Sequence, residues 1–169
     1  MKWVRSVSLF LALLVLNGCW HTTNVQGEVV ASLDIPSVGT AALVRSNGTY
    51  FAYLAQQSAT GWKIYTDNVT AASHVTEGVP IRWVSATYER NGKVILVWGG
   101  TVNDPEVVKI VARGQEYNVS DNFYLFAWSG VNGEYDFMPA YALNREGRTL
   151  YEVRPENKTP GWIVPQTTK

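Results

Sequence analysis

The sequence predicts an all-β domain, an antiparallel β-sandwich, with a partly closed β-barrel as the alternative. Three observations predict it. Short runs with period-two alternation recur along the chain, Gly, Asn and Asp turn pairs separate them, and no segment carries a capped helical period. Hydrophobic content of 46%, with seven Trp and nine Tyr, is what a packed core requires and too rich for a disordered chain.

The elements follow in order. Thr40–Arg45 and Thr49–Gln56 flank Ser46-Asn47-Gly48, a hairpin signal. Within the second run Phe51, Tyr53 and Ala55 share one face, and Tyr50, Ala52 and Leu54 share the other. Gly61–Thr66 is a short strand in which Trp62 and Ile64 alternate with Lys63. Ile81–Glu89 and Lys93–Gly99 form the clearest hairpin, because Asn91-Gly92 tolerates the positive φ angles of a type I′ turn. The arm Val94-Ile95-Leu96-Val97-Trp98 is apolar at every position, so it is expected to be central and covered on both faces.

Asn103-Asp104-Pro105 turns the chain, since Pro105 restricts Asp104 to extended backbone. Val107–Arg113 alternates again. Glu116–Val119 and Phe123–Trp128 pair around Asp121-Asn122, and Tyr141–Leu143 and Thr149–Val153 around residues 144–147.

The first eighteen residues stand apart. Lys2 and Arg5 make a positive n-region, and Val7–Leu16 is an apolar run of signal-peptide length, too short to span a bilayer. Leu16-Asn17-Gly18-Cys19 follows. Leu16 is a poor −3 residue for an ordinary signal peptidase, but Leu at −3, Gly at −1 and Cys at +1 resemble the lipobox of bacterial lipoproteins. That resemblance implies lipid attachment at Cys19 as a diacylglyceryl thioether, cleavage before Cys19, acylation of the new N-terminus, and a place on the extracytoplasmic face of a bacterial membrane. Cys19 is the sole cysteine in 169 residues, so no internal disulfide forms. Each buried CH₂ contributes roughly 0.8 kcal/mol, so two or three acyl chains anchor a protein without a polybasic patch.

The implied domain organisation is a signal peptide over 1–18, a lipidated N-terminus and tether over 19–38 and an antiparallel β domain over 39–155. A loose tail over 156–169 completes it. Val29–Leu33 is a possible extra strand, and Trp162 and Ile163 are the tail residues able to dock back. Two of the fourteen basic residues and none of the fourteen acidic ones precede Cys19, which leaves a mature charge of −2. That balance argues against nucleic acid as a partner, which needs a basic stripe. The stretch from Trp98 to Tyr151 also resembles small uncharacterised surface lipoproteins of Bacillus-like bacteria. It does so through Gly100-Thr101-Val102-Asn103-Asp104 with Val107 and Ile110, the aromatic strand Phe123–Trp128, and Ala142-Leu143-Asn144-Arg145-Glu146-Gly147. Val111 departs from the pattern by one position, and the resemblance implies no catalytic residue.

Chemistry-bearing motifs are sparse. His21 and His74 are the two histidines, and neither has a ligand partner at metal spacing. Gly-x-Ser-x-Gly, phosphate-loop and dinucleotide motifs are absent, so no catalytic residue, metal site or cofactor is expected. Glu134 with Asp136, and Asp104 with Glu106, are carboxylate pairs at i and i+2. An envelope hydrolase acting on cell-wall glycan could use such a pair, but solvated turn charges are the default reading, since residues at i and i+2 meet the required separation trivially. Trp62, Trp83, Trp98 and Trp128 lie on predicted strands, where packing between sheets is the default and a sugar-stacking platform is the alternative. Trp20, beside the lipid, suits the interfacial belt. Asn47, Asn68, Asn118 and Asn157 each begin an Asn-x-Ser/Thr sequon, which in a bacterium reads as turn chemistry. The function expected is therefore a membrane-anchored binding or interaction module for an envelope protein or glycan, with the hydrolase as alternative.

Overall fold

The computed structural model describes residues 21–66, 70–74, 80–90, 92–130, 139–154 and 161–165. Those residues form thirteen strands: β1 Thr22–Asn24, β2 Glu28–Ile35, β3 Gly39–Ser46, β4 Thr49–Ser58, β5 Gly61–Tyr65, β6 Thr70–His74, β7 Ile81–Arg90, β8 Lys93–Val102, β9 Lys109–Ala112, β10 Gln115–Asn118, β11 Phe123–Ser129, β12 Ala140–Leu143 and β13 Thr149–Val153. They make three antiparallel sheets, ordered β1-β5-β4-β3-β2, β11-β8-β7-β6 and β10-β9-β12-β13. The fold is a β-sandwich without a closed barrel.

The second sheet is the middle layer. Ile95 and Val97 of β8 join Leu43, Leu54, Val84, Ala86 and Leu125 in the core shared with the first sheet. Trp98 and Val102, on the opposite face, join Ile110, Ala142 and Val153 of the third. The unbroken apolar run of β8 thus reflects burial on both sides, as expected. Gly99 and Gly100 continue this strand because side chains do not fit there. A Cβ on Gly100 would lie 1.9 Å from the Arg82 carbonyl oxygen, and one on Gly99 would lie 2.7 Å from that of Tyr124.

Turn chemistry sets the hairpins. Asn47 and Gly48 take φ of 49° and 78°, and Asp121 and Asn122 take 50° and 66°. Successive positive φ values give the primed turns whose twist matches antiparallel strands.

Two boundaries differ from expectation. The segment 19–38 is not a tether throughout, because β1 pairs with β5 and β2 pairs with β3 along most of its length. The possible strand Val29–Leu33 falls within β2, while the polar residues Thr22, Thr23, Asn24, Ser32 and Asp34, exposed on edge strands, mask the full extent of the pairing. The tail 156–169 is not loose where it is described. Ile163 and Glu152 exchange backbone hydrogen bonds of 2.8 and 2.9 Å, and Trp162 is wholly buried. β6 was also unexpected, as Thr-Ala-Ala-Ser-His carries none of the large apolar residues that mark strands.

Candidate binding surface on the first sheet

β1 and β2 occupy opposite edges of the first sheet, yet only Val25, Gln26 and Gly27 separate them. The Val25 amide still donates to the Trp62 carbonyl (3.1 Å), and Glu28 is already opposite Arg45. Three residues cross that gap only if the sheet curls strongly on itself. At the crossing Gly27 has φ 139°, and a Cβ there would sit 2.4 Å from the Arg45 carbonyl oxygen. The barrel alternative is thus approached in this sheet, but β1 and β2 do not pair, so it stays open.

The outer face of this curled sheet is legible from register. Asp34, Thr40, Ala55, Ile64 and Thr23 form one cross-strand row, each opposite the next. Residues two away share their face, which adds Ala42, Val44, Phe51, Tyr53, Gln57 and Trp62. Ala42, Val44, Ala55 and Ile64 are buried beneath Val25, Val29, Tyr53 and Trp62.

Phe51 and Tyr53 stack with ring centroids 6.1 Å apart and planes at 21°. Phe51, Tyr53 and Trp62 are all half-buried, so none is sealed from solvent. Burial raises the Tyr53 hydroxyl above its ordinary pKa. Polar groups border the rings: Gln57 lies opposite Trp62, and the Thr40 hydroxyl donates to Asp34 Oδ1 (2.9 Å). Rings flanked by amide, hydroxyl and carboxylate groups can stack on an apolar ligand face while satisfying its hydroxyls.

The four strand tryptophans therefore divide. Trp83, Trp98 and Trp128 are buried between the second and third sheets and are core. Trp98 stacks on Trp162 at 6.1 Å and 23°, and Phe126 on Trp128 at 5.3 Å and 4°. Trp62 alone of the four keeps an open face.

The carboxylates divide as well. Asp104 is a turn residue: Oδ1 accepts the Glu106 amide (2.9 Å) and Oδ2 accepts the Tyr151 hydroxyl (2.7 Å). Glu106 is exposed. Burial first, then the Asp104 hydrogen bond and the Asp104 and Glu106 charges, push Tyr151 up to about 12. Glu134 and Asp136 lie outside the described residues, as do Cys19 and Trp20. His21 is exposed just before β1, and the backbone of His74 pairs with Trp83 in the second sheet, so the two histidines lie at different sheets. Among the described residues no group of three or more His, Cys, Asp or Glu could hold a metal ion.

Buried glutamate was not anticipated. Glu152 is 8% exposed and pairs with Arg154, while Ile163 covers its backbone. Its alternating position in Thr149–Val153 marks the strand but not the covering segment.

The chain matches no protein-family profile, no curated protein and no solved structure, so its function rests on its own residues.

Proposed function

We propose that this chain is an extracytoplasmic bacterial lipoprotein, anchored through lipid on Cys19, whose β domain is a binding module for an envelope protein or glycan. The observation that carries this reading is the order of Lys2 and Arg5, the apolar run Val7–Leu16, and Leu16-Asn17-Gly18-Cys19, with no second cysteine in the chain. The open rings of Trp62, Tyr53 and Phe51 support the binding half of the reading. The hydrolase alternative loses one of its groups, because Asp104 already holds a turn and a tyrosine.

The anchor is tested by mass spectrometry of the N-terminal peptide from the native host, with membrane fractionation of Cys19→Ser. A diacylglyceryl mass on Cys19 and release of the variant into the soluble fraction are expected. An unmodified thiol, or unchanged fractionation of the variant, refutes the anchor. The module is tested by binding of isolated cell-wall glycan and of envelope proteins to the folded chain and to Trp62→Ala. Loss of binding in the variant is expected. Binding that survives it removes this face from the proposal.

A further inference from the structure

Lipidation of a residue so close to a folded sheet restricts how the domain can sit. Only Trp20 lies between Cys19 and His21. The His21 carbonyl is already fixed, accepting the Thr66 amide (3.0 Å) and the Thr66 hydroxyl (3.1 Å). Thr22 is opposite Tyr65, so the sheet begins at once. Two residues of fully extended chain span about 7 Å. A bilayer of roughly 40–45 Å with a 30 Å hydrocarbon core leaves about 5–7.5 Å of headgroup layer on each side. The chain outside the sheet is therefore consumed in crossing that layer, and no length remains for a stalk.

We propose that the edge strand β1 rests against the lipid headgroups, so that the domain is held in one orientation on the bilayer. This rests on acylation of Cys19. The chemistry of the edge agrees. Thr22, Thr23 and Asn24 are all exposed and offer hydroxyl and amide groups. Lys63, opposite Asn24, is the only charged residue on β1 and its neighbour β5, so no carboxylate there faces lipid phosphate. β10 belongs to the opposite outer layer. β10 packs against β11, and β11 lies beside β2, the edge of the first sheet opposite β1. Gln115 on β10 is exposed and serves as the distant reference.

The test uses the full, acylated chain, in which lipid occupies the Cys19 thiol, in vesicles of phosphatidylethanolamine and phosphatidylglycerol. Thr23→Cys and Gln115→Cys are labelled separately with a bulky polyethylene-glycol maleimide, and Asn24→Cys repeats the measurement at the edge. Both edge positions are expected to label at least tenfold more slowly than Gln115→Cys. Eight Gly/Ser residues inserted between Trp20 and His21 add about 16 Å of reach and are expected to abolish the difference. Equal labelling at edge and reference, with acylation confirmed by mass, overturns the docking and leaves the anchor standing. An unmodified Cys19 overturns both. Protection that persists despite the insert also overturns the proposal, because the short connection is then not its cause.

Discussion

The Trp162 indole N–H donates to the Tyr124 hydroxyl at 3.4 Å, and the two rings meet edge-on at 6.3 Å and 87°. The Tyr124 hydroxyl donates in turn to the Arg82 carbonyl at 3.1 Å. Both side chains are wholly buried, so a segment near the C-terminus completes the aromatic core between the second and third sheets.

Removing that indole should be costly. Trp162→Ala is expected to destabilise by about 3–5 kcal/mol, the range for deleting a large buried aromatic side chain. Trp162→Phe leaves a smaller cavity and loses the N–H donor, so a cost of about 2–3 kcal/mol is expected. Urea denaturation followed by far-ultraviolet circular dichroism measures both. Equal midpoints for wild type and Trp162→Ala would mean that the segment does not dock.

Glycine contributes differently at three positions. Gly100→Ala and Gly27→Ala place a Cβ 1.9 Å and 2.4 Å from a neighbouring carbonyl oxygen, where backbone must move. Each is expected to cost about 3 kcal/mol or more, above the usual cost of overpacking. Gly48→Ala meets no atom within 4 Å and pays only for its φ of 78°, about 1–2 kcal/mol. The ranking of thermal midpoints, with Gly48→Ala highest of the three, checks the curled sheet and the tight β7–β8 approach together.

Legibility in the sequence followed burial. β8 could be placed centrally because Val94–Trp98 is apolar on both faces, and two of its inner residues do face each core. β1 and β6 escaped notice because Thr-Thr-Asn and Thr-Ala-Ala-Ser-His have too few large apolar side chains to show a period. The curl of the first sheet depends on Gly27 approaching Arg45, a contact between residues eighteen apart that no local pattern encodes. The open face of Trp62 was hidden for a related reason. Trp62 and Trp98 both sit on predicted strands, and only the stacking of layers tells an outer face from an inner one. Trp162 and Ile163 stand out as the tail residues able to dock, but the Pro-, Lys- and Thr-rich stretch around them shows no strand period.

Alkaline pH should report on Tyr151. Its pKa in the folded chain, pushed up to about 12, exceeds the value near 10 of an unfolded tyrosine. The folded state therefore holds a proton that the unfolded state releases between those values. The stabilisation is complete below about pH 10 and is lost as pH rises toward 12. Tyr151→Phe is expected to flatten the decline of stability over that window, and Asp104→Asn to weaken it through loss of the charged acceptor. Urea midpoints measured from pH 9 to 12 decide the matter. An unaltered slope in Tyr151→Phe would show that this hydroxyl is not linked to folding.

Solvent contact separates Trp62 from the other described tryptophans. Trp83, Trp98, Trp128 and Trp162 are each 9% exposed or less, whereas Trp62 is half-buried over Ala55 and Ile64. Acrylamide should therefore quench Trp62 much more readily than those four. Trp62→Phe is expected to lower the quenchable fraction of tryptophan fluorescence while costing about 1 kcal/mol or less, since a partly exposed ring is replaced by a smaller one of similar shape. Trp98→Phe should do the reverse, leaving quenching nearly unchanged and destabilising by about 1–3 kcal/mol, because its ring contacts Tyr124, Phe126, Trp128 and Trp162. If Trp62→Phe left the quenchable fraction intact and unfolded the protein instead, Trp62 would be core like the others, and the outer face of the first sheet would offer a ligand little to stack on.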